Sequence, residues 1–197
     1  RYLVRELVRL GHSVTVFHKG THLCEPSLGV IDFIGDRNCI NELEQLKNVN
    51  YDVCIDTCAY HPSQISLLHA HTNINYFCLI STVFVYLDQD LWLNEQSQLS
   101  SIRPSSTPAT TTPNNYGAFK VLCEQESKAC FGSECLILRP SYIIGPGDHT
   151  ERMLFWFRMC AVHRKLINIP DFNPYLQFID VRALTQFTIT CIYNRIN

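Results

Sequence analysis

"YDVCIDTCAYHPSQISLLHAHTNINYFCLIS", residues 51–81, decides the fold class. It holds two apolar runs, "YDVCID" and "NYFCLIS", and between them "PSQISLLHAH", in which Pro62 and Ser63 stand in helix-opening positions. A strand, a helix and a second strand, with each strand almost continuously apolar, indicate parallel strands covered on both faces.

The same alternation runs outward in both directions. Upstream, "YLVRELVRL" sets Leu3, Val4, Leu7 and Val8 on one helical stripe and Gly11 follows as a stop. "SVTVF" and "VIDFI" read as strands, and "NELEQLK" as a polar helix. Downstream, residues 96–115 are rich in Ser, Thr, Pro and Asn, the composition of a long functional or mobile loop. Beyond it come a helix opening at Tyr116, the strand "ECLILRP", the turn "IIGPGDH", the aromatic-rich helix "RMLFWFRMCAV", and the strand "LQFID" before a final helix. The expectation is an α/β, doubly wound parallel sheet of Rossmann type, one domain over 1–197, without repeats or an internal linker. Such a sheet normally begins with a strand whose turn into the first helix carries phosphate-binding glycines, whereas this sequence opens at Arg1 directly in a helix. The expectation is therefore a chain incomplete at its N-terminus, with only the start of a C-terminal substrate lobe.

Composition narrows the function classes. Hydrophobic residues make up 46% and charged residues 17% of 197, an ordinary globular balance. A formal charge of −2 and the lack of basic runs argue against a nucleic-acid partner, and no apolar stretch reaches a membrane-spanning length. Of ten cysteines, Cys54, Cys78, Cys135 and Cys191 sit inside apolar runs, where Cys behaves as a small hydrophobe. Without a C-x-x-C or a zinc-like Cys/His spacing, reduced thiols in a cytoplasmic protein, with no metal, are expected.

Tyr116 and Lys120 in "NNYGAFKVLCEQ" lie four apart at the start of a helix, so phenol and ammonium share a face. The spacing alone is weak, but its context is not. In order along the chain, "RYLVRELVRLGHSVTVF", "GDR" at 35–37, "YDVCIDTCAY", "LISTVFVY", "YGAFK", "LRPSYIIGPGD" and "LQFIDVRAL" resemble successive segments of the extended short-chain dehydrogenase/reductase family, the NAD-dependent epimerase/dehydratase group. The resemblance covers nearly the whole length and identifies "YGAFK" with that family's Tyr-x-x-x-Lys.

A phenol has an ordinary pKa near 10, and an ammonium one turn away stabilises phenolate and lowers it. Tyr116 can then exchange a proton with a substrate hydroxyl or carbonyl while hydride moves to or from a nicotinamide. The resemblance implies that Lys120 also holds the nicotinamide ribose. It implies as well that Thr82 is the hydroxyl that orients the reacting oxygen, with Ser81 as second choice and as a cofactor-binding residue. The Asp-Glu pair of the dehydratase branch is replaced by Val83 and Phe84, which disfavours dehydration.

For the cofactor, Asp36 is expected to accept from an adenine amino group and Arg37 to stack on the ring or meet phosphate. Ala59 and Tyr60 are expected to line the cofactor crevice, and Pro140, Tyr142 and Ile143 to flank the nicotinamide. His18 and Lys19 stand where NAD-specific enzymes carry an acid, which favours NADP over NAD. Asp148 and Arg152 are expected on the substrate side. The resulting expectation is an NAD(P)-dependent epimerase or reductase acting on a nucleotide sugar or other hydroxyl substrate, and the resemblance is compatible with a homodimer. The alternative is a non-catalytic dinucleotide-sensing or interaction protein on the same fold.

Overall fold

The computed structural model describes residues 1–21, 25–87, 92–101, 111–148, 150–164 and 176–196. In chain order these form α1 (Tyr2–Arg9), β1 (Thr15–His18), β2 (Ile31–Ile34), α2 (Ile40–Leu43), β3 (Asn50–Tyr51) and β4 (Cys54–Asp56). Next come α3 (Ser63–His71), β5 (Asn73–Ile74), β6 (Phe77–Ile80), α4 (Tyr116–Phe131) and β7 (Cys135–Leu138). The last are β8 (Tyr142–Ile144), α5 (Arg152–His163), β9 (Phe178–Asp180) and α6 (Val181–Tyr193).

Every strand pair is parallel: β1 with β2, β3 with β5, β4 with β6, β6 with β7, and β8 with β9. Among the described residues β6 alone is paired on both sides, in the order β4–β6–β7. Its alternation explains the layers. Phe77 and Leu79 enter one cluster with Leu43, Leu46, Ile65, Leu68 and Cys123, from the α2, α3 and α4 side. Tyr76 and Cys78 enter another with Leu136, Leu138, Cys191 and Ile192, on the α6 side. Apolar residues therefore serve both faces at period two, and each fully buried large side chain contributes roughly 1.5–3 kcal/mol. This is the doubly wound α/β arrangement expected from the sequence.

Two local expectations give way. The apolar stripe of α1 is only half-buried, and the buried residue of that helix is Glu6. The helix packs on α6, where Glu6 accepts from Arg9 and, at 3.0 Å, from Gln186 Nε2. In β2, Ile31 and Ile34 are about half exposed, because the strand is the edge of its two-stranded ladder.

No ladder joins β1 to β4 among the described residues, which leaves a break between the two ladders. Arg37, three residues past β2, crosses it to Asp56 at the end of β4, with nitrogen–oxygen distances of 2.8 and 2.5 Å. No helix among the described residues is long and apolar enough to cross a membrane. Burial pushes the thiols of Cys54 and Cys123 up to about 12 and that of Cys135 to about 11.

Candidate active site

α4 begins at Asn115, whose side-chain oxygen accepts from the Thr112 amide at 2.6 Å, and ends at Gly132, whose φ of 56° suits glycine. Residues 117, 120 and 124 recur at helical spacing and line its inner face. Each meets the chain that leaves β6. Gly117 lies so close to the Phe84 carbonyl that a methyl group there would overlap its oxygen. Lys120 Nζ donates to the carbonyls of Ile80 at 2.8 Å and Ala59 at 3.0 Å. Glu124 accepts from Ser81 Oγ at 2.6 Å.

Thr82 follows as the cap of a 3₁₀ turn, Val83–Val85, and its Oγ1 accepts from the Phe84 amide at 3.3 Å. The turn is held from the other side by β7: the amides of Ser81 and Val83 donate to the carbonyls of Leu138 and Pro140. Tyr116, half-buried at the first turn of α4, faces Tyr60 with ring centroids 6.1 Å apart. Tyr142 meets Phe84 edge-on at 5.7 Å. Tyr116, Lys120, Thr82, Ala59, Tyr60 and Tyr142 are thus gathered around the junction of α4 and the 3₁₀ turn, beyond the C-terminal ends of β4 and β6. That is the side on which doubly wound sheets bind ligands. A cavity of about 490 Å³ adjoins it, lined by Val83, Arg139, Pro140, Ser141 and residues 176–179.

Burial sets the state of the lysine. Lys120 is 2% exposed, and desolvation pulls its pKa below the ordinary amine value while Cys123, Asp56 and Glu124 work in the opposite direction.

No family model matches the sequence, and no curated protein matches it either. Solved structures do. An NAD-dependent epimerase/dehydratase from Methylobacillus flagellatus, described as putative, aligns over 98% of this chain and 66% of its own, with a TM-score of 0.65 and 18% identity. MoeE5, solved with UDP-glucose and NAD, aligns over 100% of this chain and 69% of its own, with a TM-score of 0.70 and 17% identity. UDP-N-acetylglucosamine 4-epimerase from Bacillus cereus aligns over 98% and 69%, with a TM-score of 0.67 and 17% identity. The fold is that of the NAD-dependent epimerase/dehydratase structures. At this identity the likeness is one of architecture, and the chain spans about two thirds of the length of these structures.

On the epimerase/dehydratase fold the remaining expected residues fall into separate groups. His18 Nδ1 accepts from the Gly20 amide at 2.9 Å, so Nε2 carries the proton it shares with Asp32 at 2.6 Å. Lys19 pairs with Asp36 at 2.9 Å. The Asn38 amide and, next, Lys19 hold the Asp36 carboxyl below its usual range. Arg37 turns inward: burial opposes its charge, but Asp56 holds the guanidinium charged. Ile143 is 36% exposed in β8, and the Pro140 carbonyl is taken by Val83. Asp148 caps its own turn, accepting from the amide and hydroxyl of Thr150. Arg152 opens α5, and its side chain lies outside the described residues. Ser81 is directed to Glu124.

Gly117, Glu124 and Arg139 were not singled out from the sequence. A signal existed for two of them: Glu124 stands one turn after Lys120, and Arg139 immediately precedes Pro140. Among the described residues, no group of three or more His, Cys, Asp or Glu is placed to hold a metal ion.

Proposed function

We propose that residues 1–197 form a single domain that carries the dinucleotide and catalytic part of an NAD(P)-dependent epimerase or reductase of the extended short-chain type, with a nucleotide sugar or a related hydroxyl compound as substrate. The observation that supports this reading is the packing of α4, which opens with Tyr116 and holds Lys120 on the Ile80 carbonyl, against the 3₁₀ turn capped by Thr82. Architecture supports it, since solved structures of this fold hold NAD together with UDP-glucose or UDP-glucuronic acid.

The residues present fit the two ends of a dinucleotide. Asp36, at 40% side-chain exposure, offers an acceptor at the end of β2, and Lys120, Thr82 and Tyr116 offer an amine and two hydroxyls at the end of β6. No glycine-rich strand-to-helix turn for the pyrophosphate occurs in this sequence. Lys19 is matched by Asp36 and His18 is engaged on both ring nitrogens, so the local charge no longer favours a 2′-phosphate; NAD and NADP stand level. When bound, the nicotinamide supplies a hydride acceptor or donor. Tyr116 moves the proton of the reacting oxygen, Thr82 orients that oxygen once its hydroxyl turns outward, and the Lys120 charge stabilises the phenolate.

The test is turnover of UDP-glucose and UDP-N-acetylglucosamine, with sugar products separated by chromatography for epimerisation and nicotinamide absorbance followed for net hydride transfer, and with Tyr116→Phe beside the parent. Turnover is expected to vanish while nicotinamide affinity stays within about threefold, because only a transferable proton is removed. Retention of most of kcat would overturn the assigned role. A second reading, cofactor binding without turnover, is favoured by the Lys120 ammonium being held on two backbone carbonyls. Nicotinamide binding by a parent that transfers no hydride would select it.

A further inference from the structure

The carboxylate of Glu124 makes three bonds in a nearly closed environment. Oε1 accepts from Ser81 Oγ at 2.6 Å and from Arg139 Nε at 3.0 Å, and Oε2 accepts from Arg139 Nη2 at 2.7 Å. Glu124 is 3% exposed and Ser81 5%. The free edge of the Arg139 guanidinium continues the chain: Nη1 donates to Tyr86 Oη at 3.0 Å, and the group lies over the Tyr86 ring at 5.1 Å. Arg139 therefore reaches both ends of the Thr82–Val85 turn, Ser81 through Glu124 and Tyr86 directly.

Stability is a poor reason for such a pair, because removing two charges from water offsets most of their attraction and apolar residues of the same size often serve as well. Geometry is a better one. A fork-to-fork guanidinium–carboxylate contact fixes distance and orientation together, and a third bond to a hydroxyl fixes what is attached to it. Here the attached residue is the neighbour of Thr82, and the carboxylate stands one turn beyond Lys120 on the helix that opens with Tyr116.

We propose that Glu124 and Arg139 are a positioning pair, which locks the Thr82 turn to α4 and so sets the Thr82 hydroxyl against Tyr116 and Lys120. The proposal deepens the functional reading above and rests on it for the catalytic consequence. The registration of the turn is a separate, physical statement.

The experiment compares the full chain with Ser81→Ala and Glu124→Gln. Ser81→Ala leaves the ion pair whole and removes only its link to the turn, so it serves if Glu124→Gln does not fold. Amide exchange is followed at Val83 and Phe84, with Phe77, held by the Glu134 carbonyl, as the internal reference. Exchange at Val83 and Phe84 is expected to quicken about tenfold in Ser81→Ala while Phe77 is unchanged. In hydride-transfer assays kcat per folded molecule is expected to fall about tenfold in Ser81→Ala and about a hundredfold in Glu124→Gln, with nicotinamide affinity steady.

Unchanged exchange at Val83 and Phe84 overturns the proposal. Faster exchange with unaltered kcat also overturns it, since the pair would then be structural only. If the parent transfers no hydride to any nucleotide sugar offered, the functional reading fails. The exchange data alone then decide whether the pair registers the turn.

Discussion

Lys120 buries an ammonium between two backbone carbonyls, and folding bears an electrostatic penalty for it. Its pKa in the folded chain lies below that of the unfolded chain, so between those two values the unfolded state binds more protons. Stability therefore rises with pH through that window, towards the ordinary lysine value, as the penalty is relieved. Lys120→Met carries no such group. The stability difference between parent and variant is expected to shift in favour of the parent as pH rises from 7 towards 10, read by urea denaturation at each pH. A difference independent of pH would mean that the folded chain does not perturb this amine. That Tyr116 and Lys120 share the first turns of one helix was legible in the sequence from their spacing of four. The carbonyls that receive the ammonium were not, since Ala59 and Ile80 lie 61 and 40 residues away.

At the scale of elements, α4 is fitted to its neighbours by a missing side chain as much as by those present. Gly117→Ala places a methyl group against the Phe84 carbonyl, which neither backbone can yield without moving. Overpacking of this kind costs typically 1–3 kcal/mol. A lowered urea midpoint of that size is expected, together with loss of any activity that needs Tyr116 beside the turn. The inward-turned Arg37 carries a second prediction. Arg37→Met leaves the Asp56 carboxylate buried without its partner, a change expected to cost about 3–5 kcal/mol. Against desolvation, Arg37 holds the Asp56 pKa below its unfolded value, so the parent's contribution is present above the ordinary aspartate range and fades as pH falls through the folded value. Acid titration of both proteins checks this: the gap between them should narrow on acidification. "GDR" was read from the sequence as cofactor-binding because it resembles the family's adenine-side motif at a strand end. The partner that orients Arg37 lies 19 residues on, and local pattern gives no hint of it.

For the whole molecule, the strands were legible because a sheet covered on both faces demands unbroken apolar runs, as in β6 and β7. The half-buried α1 was not, because its stripe promises a deep core and only long-range packing reveals that α6 is its neighbour. Thiol chemistry follows from the same layering. Cys58 and Cys160 are exposed, whereas Cys78, Cys123, Cys135 and Cys191 are buried, and a thiol near 12 is about one part in ten thousand thiolate at pH 8. Brief alkylation at pH 8, mapped by mass spectrometry, is expected to mark Cys58 and Cys160 well before these four, which should react only on unfolding. Early labelling of Cys123 would show that the α4 face opens in the native state.

Five consecutive residues, Ile80 to Phe84, present α4 with a carbonyl, a hydroxyl and a second carbonyl, each matched to a different turn of the helix. The segment passes from extended backbone at Ile80 into a 3₁₀ turn at Val83–Val85, so adding or deleting one residue here would shift and rotate every later group away from its partner. Substitution within the segment alters one contact at a time, whereas an insertion alters them all. Its length is therefore under tighter constraint than its composition.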